Sequence, residues 1–143
     1  MVEMVAKTRK YTIDFKLSYT LTLISGDSGT GKTYLCSLIE ICKNANTISI
    51  VADNNLQYIV NVVTTLNDLK ALLSDGAPHL IFIDKLEQWD TSDRVAAENL
   101  ILENLRSVPD FNYFIIMHRG LTSLGFVEPV YRLDFSDNKF ELS

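Results

Sequence analysis

The chain has 143 residues, 47% of them apolar and 22% charged. That is ordinary globular usage at the length of one domain, so it excludes a disordered or fibrous chain and predicts a single folding unit over residues 1–143. Lys and Arg number 13 and Asp and Glu 18, a formal net charge of −5, which argues against a nucleic-acid groove. No apolar run approaches the ~18 residues of a membrane-spanning helix. Met1 to Lys10 carries charges with no apolar stretch behind them, so no secretory leader is expected. Cys36 and Cys42 fall on one predicted helix, on different sides of it, where they cannot easily pair. Reduced thiols in a cytoplasmic protein are the simplest reading.

In chain order, Tyr11 to Phe15 alternates apolar and polar residues as a half-buried strand does. Thr20 to Ser25, TLTLIS, reads as a second strand. Lys32 to Lys43 reads as a helix, because Leu35, Leu38, Ile39 and Cys42 form one apolar stripe. Thr47 to Ala52 is a β-branched strand, and Gln57 to Val63 another. Thr65 to Ser74 is a short helix opened by the capping-box pattern Thr65-x-x-Asp68. Leu80 to Asp84, LIFID, is a nearly continuous apolar run ending in a carboxylate, which suits a strand buried on both faces of a parallel sheet. Ser92 to Ser107 is the longest helix, with Ala97, Ile101, Leu105 and Val108 in register. Tyr113 to Met117, YFIIM, is a second uniformly apolar strand. Val130 to Phe135 and Lys139 to Leu142 flank Asp137-Asn138, a two-residue hairpin signal. Strands alternating with helices predict an α/β fold of three layers, with a mostly parallel central sheet and antiparallel strands at the edges.

Half of the six glycines, Gly26, Gly29 and Gly31, fall within six positions. Residues 26–33 read Gly-Asp-Ser-Gly-Thr-Gly-Lys-Thr, a complete G-x-x-x-x-G-K-[ST] phosphate-binding pattern. The glycines let the backbone approach phosphate closely, and successive N–H groups at a helix N-terminus form an anion nest. Lys32 can bridge the β- and γ-phosphates, and the Thr33 hydroxyl can ligate Mg²⁺. The strand before the pattern and the helix after it are the context it requires. The nucleotide-binding set is therefore Gly26, Asp27, Ser28, Gly29, Thr30, Gly31, Lys32, Thr33 and the next residue, Tyr34. Asp84, at the end of LIFID, is the candidate second metal ligand, the Walker B carboxylate, beside Thr33. His118 and Arg119 follow YFIIM directly. Parallel sheets bind ligands at the carboxyl ends of their strands, which makes both residues candidates for positioning water or offsetting transition-state charge.

This order of elements resembles the P-loop NTPases, and more closely a minimal ABC or RecF-like ATPase core, or the small ATP-binding proteins of bacteria and their mobile elements. The resemblance implies ATP and Mg²⁺ as cofactors, a protein partner or self-association, and a switch-histidine role for His118. The chain departs from that pattern in places. Hydrolytic relatives usually carry Glu after the Walker B Asp; here it is Lys85, and a cation cannot accept a proton from water. Glu87 is the nearby substitute. The chain has no room for an ABC helical subdomain and no LSGGQ-type signature. Asp53, ending TISIVA, occupies a position where some kinases of this fold bind their acceptor, although a loop-capping Asp is the better explanation. The first reading is thus a slow Mg²⁺-dependent ATPase acting as a nucleotide-gated module. The alternatives are a small-molecule or nucleotide kinase and a non-hydrolysing regulatory or structural protein. The basic cluster Lys7, Arg9 and Lys10 reads as a solvated strand flank. Leu86 and Trp89 are either an exposed apolar loop or tucked under the helix that follows.

Overall fold

The computed structural model describes residues 1–25, 32–107, 111–118 and 130–143. Among them are nine strands: β1 (Val2–Lys7), β2 (Thr12–Leu17), β3 (Leu21–Ser25), β4 (Ile48–Ala52), β5 (Ile59–Val63), β6 (His79–Asp84), β7 (Tyr113–His118), β8 (Val130–Ser136) and β9 (Lys139–Leu142). Three α-helices accompany them: α1 (Lys32–Asn44), α2 (Leu66–Leu73) and α3 (Thr91–Arg106). The strands form one sheet in the order β4-β1-β2-β9-β8-β3-β7-β6-β5. From β8 through β5 every ladder is parallel. The antiparallel ladders, β1 with β2, β1 with β4 and β8 with β9, gather on one flank rather than at both edges.

The apolar runs explain the layering. In β6, Leu80 and Phe82 face the core cluster that α1 closes with Leu35, Leu38 and Ile39. Ile81 and Ile83 face the opposite cluster, with Leu69 of α2 and Ala97 and Ile101 of α3. β7 alternates the same way, Ile115 and Met117 against Phe114 and Ile116. A strand buried on both faces has no use for polar alternation, so both runs read as continuously apolar. The result is a sheet between two helical layers.

Local chemistry sets the ends of elements. Thr65 caps α2, its hydroxyl accepting from the Asp68 N–H at 3.2 Å, as the capping box predicts. Asp137 and Asn138 take φ of 52° and 60°, the paired left-handed residues of a tight hairpin between β8 and β9. Leu86 is fully buried and Trp89 packs against the α2/α3 core, so this loop is tucked in. Lys7, Arg9 and Lys10 are exposed, as expected of a solvated turn. The strand β1 has no counterpart in the sequence expectations. Val2, Met4 and Ala6 are fully buried, but the apolar Val5 on the opposite face breaks the apolar–polar alternation.

At the end of the sheet where β6 begins, a polar chain ties three elements together. Lys43 Nζ of α1 donates to Asn61 Oδ1 of β5 at 2.8 Å. The Asn61 amide meets His79 Nδ1 at 3.0 Å, and His79 Nε2 lies 2.8 Å from the Asp75 carboxylate. His79 is only 2% exposed, and these partners account for both ring nitrogens. That hydrogen bond, with one from the Ala77 N–H, holds the Asp75 carboxyl below its ordinary range.

Candidate nucleotide site

One strand, β7, separates β3, which precedes the Gly-rich segment, from β6, which ends in the carboxylate, and the ladders fix their alignment. Ser25, the last residue of β3, is level with His118 of β7, and Met117 of β7 is level with Asp84 of β6. Parallel pairing therefore brings the end of the strand before Gly26, His118 and Asp84 to one edge of the sheet. β7 lies between the other two, so the backbone of His118 stands between the end of β3 and the end of β6. Helix α1 starts at Lys32, so a strand ends just before the pattern and a helix begins within it. Gly26 to Gly31 and Arg119 lie outside the described residues. Lys32, Thr33 and His118 are placed here by their backbone alone.

Asp84 is half-buried and continues the parity of Leu80 and Phe82, toward the α1 side. An independent sign of that orientation comes from Cys36, one helical turn after Lys32. Its thiol is pushed far up from its ordinary range, first by burial and second by the negative charge of Asp84. Cys36 Sγ also contacts Met117 Sδ at 3.9 Å. The carboxylate thus acts on the first turns of α1, where Thr33 sits. A carboxylate and a hydroxyl are hard oxygen donors. They fit Mg²⁺, which binds through one or two carboxylates with phosphate oxygens and water completing its shell.

Lys85 leaves the strand at φ 59° with its side chain exposed. This left-handed step turns the chain into a short 3-10 turn, Leu86–Gln88, which packs against β7. Glu87 on that turn is half-buried rather than a solvated surface acid. Glu87 thus lies three residues past the end of β6, on the turn that packs against β7.

Asp53 does not share the edge of Asp84 and His118. β4 is antiparallel to β1 and runs opposite to β3, so its last residue faces the far end of the sheet. There Asp53 pairs with the N-terminal ammonium at 3.2 Å. The loop-capping bond here is made by Asn54, whose Oδ1 accepts from the Leu56 N–H at 3.0 Å.

Sequence reasoning missed an aromatic group at the edge of the sheet where β3 ends. Tyr11 precedes β2, Tyr34 lies in the first turn of α1, and Phe135 and Phe140 flank the β8–β9 hairpin turn. Tyr11 meets Tyr34 at 5.6 Å between ring centroids, Phe135 at 5.9 Å and Phe140 at 6.1 Å. Local pattern could not reveal it, because its members come from four separate segments.

Among the described residues, no helix is long and apolar enough to cross a membrane. Residues 22–117, more than half of the chain, match the model of the family described as ATPase family associated with various cellular activities (AAA). A comparison with curated proteins finds no match.

Proposed function

The chain belongs to the AAA family of ATPases, and on that premise we propose that it is a slow, Mg²⁺-dependent ATPase serving as a nucleotide-gated module for a protein partner or a second copy of itself. Family membership makes it an ATP-binding P-loop protein. The finer reading is supported by one observation: the ladders put Ser25 level with His118 and Asp84 level with the preceding Met117, so the ends of β3, β7 and β6 share one edge.

In this reading the backbone N–H groups of residues 26–33 hold the phosphates, and Lys32 neutralises the β- and γ-phosphates. Thr33 and Asp84 would hold Mg²⁺, which offsets negative charge on the phosphate oxygens when bound. Such sites work by positioning and charge stabilisation more than by covalent chemistry. What is missing is an acceptor for the proton of the attacking water. Lys85, beside Asp84, is an ammonium and cannot serve. Glu87, half-buried on a turn against β7, is the candidate base, with His118 or Arg119 orienting water or the γ-phosphate. A general base typically contributes 10²–10⁴-fold, so an indirect one leaves turnover well below the ~10 s⁻¹ typical of enzymes. The far-end position of Asp53 takes support from the kinase alternative.

The test is a calorimetric Mg-ATP titration beside steady-state phosphate release, with Lys32→Ala as the control for contaminating activity. Slow release that Lys32→Ala abolishes is expected. Binding without release would make the protein a non-hydrolysing nucleotide sensor, and release only on adding an acceptor would make it a kinase.

A further inference from the structure

We propose that the outer edge of β5 is a docking site for an extended, basic peptide segment of a partner protein, which adds to the sheet as a strand and sets a Lys or Arg side chain on Asn61. β5 is the last strand of the sheet, beyond β6, and among the described residues no strand pairs with its outer side. Its inner side is fixed by the Ile59 N–H, which donates to the Pro78 carbonyl at 3.1 Å. In this parallel ladder alternate residues bond to the same neighbour, so Ile59, Asn61 and Val63 serve β6. The backbone N–H and C=O groups of Val60 and Val62 therefore point outward, where an added strand would meet them. The strand, IVNVV, contains neither a charge nor a proline, so the usual guards of an exposed edge are absent from it.

The guard comes from α1 instead. Val60 packs in the α1 core layer and Val63 in the α2/α3 layer, so Asn61, in step with Val63, faces the α2/α3 side with His79. Lys43 belongs to α1 on the opposite face, yet its Nζ donates to Asn61 Oδ1 at 2.8 Å. The side chain makes that bond by passing round the outer edge of β5. Asn61 Oδ1 is thus an ammonium acceptor at this edge, and it is held in place. The Asn61 amide nitrogen donates to His79 Nδ1 at 3.0 Å, and Asp75 holds His79 Nε2 at 2.8 Å. Cavities flank the edge on both faces. One of ≈ 290 Å³, lined by Glu40, Lys43 and Asn61 among others, lies toward α1. One of ≈ 260 Å³, which includes Asn61, Asp68 and Leu72, lies toward α2. A strand sends successive side chains to opposite faces, so those of a docked segment enter the two cavities in turn. Glu40 and Asp68 are exposed and put a carboxylate on each flank. An incoming cation takes the place of Lys43 on Asn61, and Lys43, once displaced, has Glu40 three residues back on the same helix face as its partner. That charge pattern selects a basic residue over an acidic one at the centre of the segment.

The experiment titrates the intact protein into a fluorescent, end-blocked heptapeptide of alternating threonine and valine with lysine at its centre, read by anisotropy. Two control peptides carry glutamate at the centre, or keep the lysine and carry backbone N-methyl groups that remove the strand-pairing donors. The lysine peptide is expected to bind, and each control to bind about 10-fold or more weakly, the scale of losing a hydrogen bond to a charged group. Lys43→Ala, which removes the competing ammonium, should bind the lysine peptide more tightly than the wild type. Val62→Pro, which removes an outward N–H, should bind it more weakly. Should Val62→Pro not fold, the N-methylated peptide carries the same readout on the unaltered protein. Sedimentation of the wild type and Lys43→Ala without peptide reports their oligomeric state. Equal affinity for the lysine and N-methylated peptides would overturn strand addition. A glutamate peptide that binds as tightly as the lysine peptide would overturn the basic occupant. No binding by either the wild type or Lys43→Ala would overturn the site altogether. Dimerisation of Lys43→Ala without peptide would overturn the peptide partner and make this edge an interface between copies of the chain.

Discussion

Asp84 and Lys85 are adjacent, yet the backbone sends them to different environments. Asp84 ends a strand whose alternate residues pack against α1, and its charge reaches the Cys36 thiol. Lys85, in the left-handed region, turns outward. Asp84→Asn should weaken Mg-ATP binding while leaving metal-free nucleotide affinity nearly intact, because the carboxylate serves the cation. Calorimetry with Mg²⁺ and with a chelator checks this, and equal losses in both would remove Asp84 from the metal site. Lys85→Glu places a carboxylate where a direct base would stand. Phosphate release should rise if that position reaches the attacking water. If Glu87 already does the work, Lys85→Glu should leave the rate flat and Glu87→Gln should lower it. A wild-type rate near ~10 s⁻¹ that survives Glu87→Gln would show that neither carboxylate carries the step.

Short-range chemistry made the β8–β9 hairpin and the α2 cap readable in advance. Asp137-Asn138 is flanked by apolar strands, and both residues take the left-handed angles of a tight turn. A β-branched residue pays more there than Asn does, so Asn138→Val should cost about 1–2 kcal/mol. A lower urea midpoint with an unchanged slope is the expected result. An unchanged midpoint would mean that the turn does not limit the hairpin. The polar chain from Lys43 to Asp75 was not readable, because Asn61 and His79 meet only when β5 pairs with β6. The Asp75 carboxyl is held below its ordinary range chiefly by the His79 hydrogen bond. A carboxyl lowered in the folded state adds stability above its unfolded value, and that contribution is lost as pH falls through the folded value. Asp75→Asn should therefore flatten the acid side of the stability–pH curve. The same acid dependence in wild type and variant would assign it to other carboxyls.

The two-faced burial of the sheet and the site at its edge were legible for one reason. LIFID and YFIIM are apolar throughout, and a Gly-rich pattern between a strand and a helix admits few other uses. Lateral order was not legible. Nothing local says that β2 pairs in parallel with β9 from the other end of the chain, that β4 crosses to β1, or that β7 separates β3 from β6. Those pairings assemble the aromatic group, and they bring His118 level with Ser25 and Asp84 level with Met117. On the proposed reading the nucleotide would touch α1 and the ends of several strands, so it should act on the stability of the fold as a whole. A ligand that binds only the folded state at 100 times its Kd adds about 2.7 kcal/mol. For a chain of 143 residues that corresponds to a Tm rise on the order of 5–10 °C. Calorimetric melts with and without Mg-ATP should show this rise in the wild type. On the proposed reading, in which Lys32 serves the phosphates rather than the core, Lys32→Ala should keep the ligand-free Tm and lose most of the rise. A full rise persisting in Lys32→Ala would place nucleotide binding away from residues 26–33. A ligand-free Tm that falls steeply would make Lys32 a structural residue and leave its role with phosphate unsupported.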